Sequence, residues 1–325
     1  VWPAGIVYIY TTMRFVLALS LLASLLFTPY VLCAQGENGG ITAVSYILVE
    51  KDTFRIITGR DYHRRLPPAS TTKVMTTLVA VERLSGDEII VPDKQVLRIS
   101  PSKMNLVPGR KYRSEDLMKG TMVKSANDAA YALATHVSGS ESTFARLMTQ
   151  RAREMGAIDT NFENASGLPS DNQYSTPYDL ALIFRHAMTN ERFIELVATR
   201  YFLFEDSKRK VRYKNHNRLL FCFEPAIGGK TGYTRAARHC YVGAFEKSGR
   251  VYILALLGSR NLWGDTVEIL KTIYDDVPTD EQLRQARASS VTLCSTAVSK
   301  KKPAAGKKVV KHRTVKPKKN TAKKR

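Results

Sequence analysis

Pro67-Pro68-Ala69-Ser70-Thr71-Thr72-Lys73-Val74-Met75-Thr76 is a rigid approach running into a helix, and what lies on either side of that helix decides the fold. The prolines fix φ and hold the backbone before them extended. Val74, Met75, Leu78, Val79, Val81 and Leu84 then recur near helical spacing until Gly86 stops the run. Upstream, residues 41–50 and 53–58 are β-rich runs about a Lys51-Asp52 turn, which predicts an antiparallel hairpin. Downstream come a short helix capped by Ser114-Glu115-Asp116, an Ala-rich helix over 127–137 closed by Gly139, and further helices over 141–155 and 177–188. From Arg200 onward the pattern changes to short β runs at 201–204, 211–213, 227–233, 240–245 and 251–257, before a closing helix over 262–274. Strands at both ends with a helical block between them predict an α+β fold: an antiparallel sheet covered by terminal helices, plus a helical insertion.

The 325 residues suffice for one substantial core with a small subdomain. An apolar fraction of 44% indicates a globular body. The formal charge of +21 suggests a polyanion partner until it is located. Thirteen Lys and Arg, and no acid, fall within residues 299–325, so the rest of the chain is only mildly basic. The sequence shows no internal repeat, no metal-spaced His/Cys cluster and no Gly-rich phosphate loop. No metal or cofactor is expected. The six histidines are scattered and read as surface or packing residues.

Met13-Arg14 opens a short positive region, residues 15–27 are apolar apart from Ser20 and Ser24, and Val31-Leu32-Cys33-Ala34 offers a small-residue cleavage region. Residues 1–34 therefore read as an export signal, with residues 1–12 upstream of a true start at Met13. A retained membrane anchor over residues 15–33 is the alternative. Either way the body is exported; with the family resemblance given below, the expected location is the periplasm or cell envelope of a bacterium. Four cysteines are too few for a disulfide scaffold. Cys222 and Cys240 are read either as a pair or as two free thiols.

Three short motifs follow one another: Ser70-Thr71-Thr72-Lys73, Ser125-Ala126-Asn127 and Lys230-Thr231-Gly232. Together they supply a serine nucleophile, an amine to deprotonate it, a polar bridge and a cationic clamp for a carboxylate, the equipment of an acyl-transfer enzyme. Residues three apart share a helix face, which brings the Lys73 amine to the Ser70 oxygen. A lysine acts as a base only when neutral, so burial or a second cation, here Lys230, must lower its pKa. Singly the motifs are weak. Ser-x-x-Lys recurs at Ser100–Lys103, Ser207–Lys210 and Ser299–Lys302, and Ser-x-Asn at Ser170–Asn172 and Ser259–Asn261, whereas Lys-Thr-Gly occurs once. Ser125 and Asn127 alone would be helix caps. In the β run over 227–233, alternation puts Lys230 and Gly232 on one face, and the glycines let a substrate backbone lie close along the edge.

In combination with Lys124-Ser125-Ala126-Asn127-Asp128-Ala129-Ala130, Tyr174-Ser175-Thr176-Pro177-Tyr178-Asp179-Leu180-Ala181, Asn215-His216-Asn217-Arg218-Leu219-Leu220 and Gly229-Lys230-Thr231-Gly232-Tyr233-Thr234, residues 40–278 resemble the serine D-alanyl-D-alanine carboxypeptidases, the low-molecular-mass penicillin-binding proteins. The resemblance implies a β-lactamase/transpeptidase-like fold, a five-stranded antiparallel sheet flanked by helices with a helical lobe and the active site between them. It implies catalytic roles for Ser70, Lys73 and Ser125, and substrate binding by Asn127, Lys230, Thr231, Gly232 and Tyr233. The backbone N–H groups of Ser70 and Tyr233 would form the oxyanion hole. The implied partners are peptidoglycan stem peptides, with β-lactam antibiotics as inhibitors. Endopeptidase action on peptidoglycan cross-links would use the same site. A β-lactamase would need an added carboxylate base, and Glu163, the one nearby candidate, sits in a carboxypeptidase-like loop.

The domain organisation expected is thus a signal over 1–34, a catalytic domain over 35–280 and a basic, disordered tail over 281–325. The tail does not resemble the amphipathic anchor of many relatives, and too few residues follow the catalytic part for their second β-rich domain. Its partner would be an anionic envelope polymer or membrane surface, with a solvated tail as the alternative. Export argues against nucleic acid.

Overall fold

A computed structural model of the chain describes residues 40–206, 209–287 and 291–293. The expected signal and the lysine-rich stretch lie outside the described residues.

Strands β1 (Ser45–Glu50) and β2 (Ile56–Arg60) form the expected hairpin. Its second strand begins three residues late because the Glu50 carboxylate accepts the Asp52 and Thr53 amides, widening the turn. A 3-10 turn over Ala69–Thr72 leads into α1 (Lys73–Arg83). A two-stranded ribbon, β3 (Ile89–Ile90) with β4 (Tyr112–Arg113), precedes helices α2 (Ser114–Val123), α3 (Asn127–Ser138), α4 (Glu141–Glu154), α5 (Pro177–Ala187) and α6 (Glu191–Ala198). Local chemistry sets these boundaries. Gly139 adopts φ 73° to close α3, a conformation that costs other residues free energy. Ser140, Thr176 and Asn190 each accept a backbone N–H as N-caps of α4, α5 and α6.

The chain then returns to strands: β5 (Tyr201–Asp206), β6 (Arg209–Lys214), a helical turn α7 (Leu219–Cys222), β7 (Ala226–Thr234), β8 (Arg238–Lys247) and β9 (Arg250–Ser259). Helices α8 (Leu262–Leu270) and α9 (Asp280–Ala286) and strand β10 (Val291–Leu293) follow. The main sheet is antiparallel, in the order β2-β1-β9-β8-β7. A second sheet runs β10-β6-β5.

Both faces of the main sheet are covered. Ile47, Val49, Val242, Ala244, Ile253 and Ala255 face a core shared with α1, α3 and α5. The alternate residues Tyr46, Leu48, Tyr241, Phe245, Leu254 and Leu256 face a smaller core with α8 and Tyr274. This period-two division is what makes the central strands read as unbroken apolar runs. The α+β expectation holds, and the helical block packs on one face as a lobe.

Some details differ from the sequence expectation. Helix α6 is additional. The tail does not begin at residue 281, because α9 starts there behind a reciprocal capping box of Thr279 and Gln282, with Leu283 and Ala286 buried. Strand β10 then pairs with β6 through Val291–Tyr213 and Leu293–Val211. Of the two readings of Cys222 and Cys240, the structure has both as free thiols. Cys240 is fully buried, and burial pushes its pKa up to about 12, which keeps the thiol neutral.

Candidate active site

The turn before α1 places Ser70 at the floor of a cleft of about 320 Å³ between the sheet and the helical lobe. Ser70 and Lys73 come from the turn and α1, Ser125 and Asn127 from the start of α3, and Lys230, Thr231 and Gly232 from the edge strand β7. The three motifs, far apart in sequence, meet here.

Lys73 is fully buried. Its Nζ lies 2.9 Å from Ser70 Oγ and 2.7 Å from Asn127 Oδ1, and it also donates to the Ser166 carbonyl. A neutral amine has two N–H groups and one lone pair. The Asn127 and Ser166 oxygens take the two N–H groups, so the lone pair is left for the Ser70 hydroxyl proton. Burial, reinforced by the nearby Lys230 charge, lowers the Lys73 pKa well below its usual value. That is the direction a lysine base requires.

Lys230 is likewise buried, and burial lowers its pKa to about 7. Its Nζ donates to Ser125 Oγ at 2.9 Å and to the Thr231 carbonyl at 2.8 Å. Ser125 has φ 58°, and the N-cap position of α3 belongs to Ala126 with no side-chain cap. Capping therefore does not explain Ser125: its hydroxyl is turned toward the Lys230 amine. Asn127 uses one amide N–H on the Ser100 carbonyl, 2.9 Å away, leaving the second for a ligand.

Gly232 lets β7 press on Ser70. A Cβ there would lie 2.8 Å from the Ser70 amide nitrogen. Tyr233, next along the strand, is 61% exposed and stands at the cleft wall with its ring 4.6 Å from that of His239.

The loop over 163–168 forms the third side. Asn164 Oδ1 accepts the amides of Ser166, Gly167 and Leu168, which aims the Ser166 carbonyl at Lys73. Glu163 is occupied elsewhere, held by the Ser170 hydroxyl and the Asn172 amide, and does not line the cleft. Ser100–Lys103 proves to be a wall: the Ser102 carbonyl accepts the Asn127 amide at 2.7 Å.

Sequence reasoning dismissed two histidines that the fold brings to the cleft, His216 and His239. Burial together with Lys230, Lys124 and Lys73 lowers the His216 pKa to about 3, so it is neutral at physiological pH. Its place in the stretch beginning Asn215-His216-Asn217 was the available signal.

A buried Ser–Lys pair backed by a second Ser–Lys pair has the groups that serine acyl transfer needs. The chain belongs to the D-alanyl-D-alanine carboxypeptidase family Peptidase S11, whose family model matches residues 33–261. It is 36% identical to the D-alanyl-D-alanine carboxypeptidase DacB2 of Mycobacterium tuberculosis, over 66% of this chain and 74% of that protein. It is 32% identical to DacF of Bacillus subtilis, over 67% of this chain and 57% of that protein. The chain thus spans little more than half of the second relative. Among solved structures, a D-alanyl-D-alanine carboxypeptidase from Mycobacterium tuberculosis superposes with a TM-score of 0.69 at 31% identity, covering 73% of this chain and 93% of that one. A variant of the Streptomyces K15 DD-transpeptidase gives 0.66 at 28% identity, covering 72% and 96%.

Proposed function

We propose that this chain is a serine D-Ala-D-Ala carboxypeptidase that removes the terminal D-alanine from peptidoglycan stem peptides through an acyl-serine intermediate. The observation that carries this reading is the buried Lys73 amine 2.9 Å from Ser70 Oγ, with both its N–H groups occupied by other acceptors. Ser70 Oγ attacks the carbonyl of the penultimate D-alanine while Lys73 takes its proton. The backbone N–H groups of Ser70 and Tyr233 hold the oxyanion, and losing one such donor costs about 3 kcal/mol of transition-state stabilisation. Ser125 passes a proton to the departing D-alanine nitrogen, with Lys230 beside it. The Lys230 ammonium and the Thr231 hydroxyl hold the terminal carboxylate. Asn127 bonds the substrate backbone, which lies close to β7 over Gly232. Water then hydrolyses the acyl-serine.

Penicillins acylate the same serine and leave slowly, because Glu163 is tied up outside the cleft and supplies no deacylating base. Relatives named as carboxypeptidases support that activity over cross-link cleavage. The test is labelling with a fluorescent penicillin beside Ser70→Ala, followed by assay of D-alanine release. One covalent label per chain, lost in the variant, is expected. Absence of any adduct on the intact protein would overturn the proposal.

We further infer that residues 1–34 direct export to the envelope, and that the lysine-rich tail retains the protein at an anionic membrane or wall polymer. Among the described residues no helix is long and apolar enough to cross a membrane. Deleting residues 299–325, beyond β10, leaves the described fold whole. Loss of envelope association on fractionation is expected, and unchanged association would rule out retention by the tail.

A further inference from the structure

Glu141 begins α4, half-buried, one residue after the Ser140 cap. Its Oε1 accepts the Ala165 amide at 3.1 Å. The carbonyl of Ala165 accepts from Thr76 Oγ1 at 2.6 Å, on α1 one turn beyond Lys73. The next carbonyl, Ser166, takes an N–H of Lys73. Glu141 is thus joined to the general base through two residues of loop, and none of the steps set out above uses its carboxylate.

Charge leads to the same residue. Three charged groups act on Lys73: Lys230 from β7, Asp128 from α3 and Glu141 from α4. Burial and Lys230 lower the Lys73 pKa, while Asp128 and Glu141 raise it. Asp128 is already shared among the amides of Met104, Leu106 and Ala129. Burial raises the Glu141 pKa, and Lys73 opposes that rise. When Ser70 attacks, its O–H bond breaks, the Oγ–C bond forms as the carbonyl π bond opens to the oxyanion, and a new N–H forms on Lys73. The site then holds a Lys73 ammonium beside Lys230, two buried cations that need counter-charge.

We propose that Glu141 is a positioning residue for the general base, fixing through Ala165 the loop whose Ser166 carbonyl orients Lys73, and stabilising the ammonium that Lys73 becomes on taking the Ser70 proton. This rests on the acyl-transfer reading of the site.

Glu141→Gln keeps a carbonyl acceptor for Ala165 and removes the charge. Without that charge Lys73 holds a proton less tightly, so the acidic limb of the pH–rate profile moves to lower pH. The plateau falls about tenfold, because the ammonium forms at greater cost. Glu141→Ala loses the bond as well and falls further. The experiment is the pH dependence of second-order acylation by a fluorescent penicillin and of D-alanine release, for wild type and both variants, with thermal melts alongside. Should the Ala variant fail to fold, the Gln variant carries the test. A purely structural Glu141 would leave the Gln variant on the wild-type profile, and that result overturns the proposal while leaving the carboxypeptidase reading intact. A wild-type protein that forms no adduct would instead remove the reading on which both rest.

Discussion

The carbonyl oxygen of Ala69 occupies the place where a side chain on Gly167 would begin, since a Cβ there would sit 1.8 Å from that oxygen. Gly167 also has φ 79°, a conformation that favours glycine. The nucleophile's turn and the loop that orients Lys73 are thus packed backbone against backbone. Gly167→Ala must push one of them away. A displacement near 1 Å is enough to lower the acylation rate about a hundredfold, and overpacking costs about 1–3 kcal/mol of stability. Penicillin-binding kinetics and urea titration of the variant check both numbers.

Lys73→Met separates chemistry from folding. The buried amine costs desolvation energy, and methionine fills similar volume without it. Losing the bonds to the Asn127 and Ser166 oxygens offsets that gain, so the variant should melt near the wild-type temperature and yet form no adduct. Intact-mass spectrometry after penicillin treatment, with calorimetry, tests the pair of outcomes.

The Lys230 ammonium loses its proton as pH passes about 7 in the free enzyme. A clamp for a carboxylate is a cation below that pKa and neutral above it. The kcat/KM for a D-Ala-D-Ala peptide should therefore fall on the alkaline side, with KM carrying the change. Lys230→Arg stays charged, so its alkaline limb should vanish even though its different shape lowers the maximum. Steady-state kinetics from about pH 5.5 to about pH 8.5 at constant ionic strength, a range of about one and a half units either side of the transition, decide it.

Asp128, fully buried, accepts the Met104 amide at 2.9 Å and the Leu106 amide at 3.0 Å. Asp128→Ala strands both donors and should cost about 2–4 kcal/mol. Asp128→Asn keeps one acceptor oxygen and should cost less. Chemical denaturation of the two variants gives the comparison.

Much of this site was legible because its key distance is local. Ser70 and Lys73 are three residues apart, and a turn running into a helix brings such residues together whatever the rest of the chain does. Ser125 and Lys230 are 105 positions apart, so no spacing rule joins them, and only the combined motifs and their family resemblance did. The role expected for Ser125 in the absence of a partner, a helix cap, fails because Ala126 holds the α3 N-cap position and the Ser125 hydroxyl accepts from Lys230. His216 and His239 lie on separate segments that pack together only in the folded state. Glu141 looked like an ordinary first-turn helix residue, as Glu commonly does there. Helix α9 was hidden by a mostly polar sequence whose apolar content is little more than Leu283 and Ala286.

Of the bonds around the reacting groups, Lys73 to Asn127 ties α1 to α3, and Lys230 to Ser125 bridges the sheet to the helical lobe. Catalytic competence is therefore a gauge of alignment between the two halves. A slip too small to register in circular dichroism would part the amines from their hydroxyls, so inactivation during mild heating should run ahead of any loss of helix.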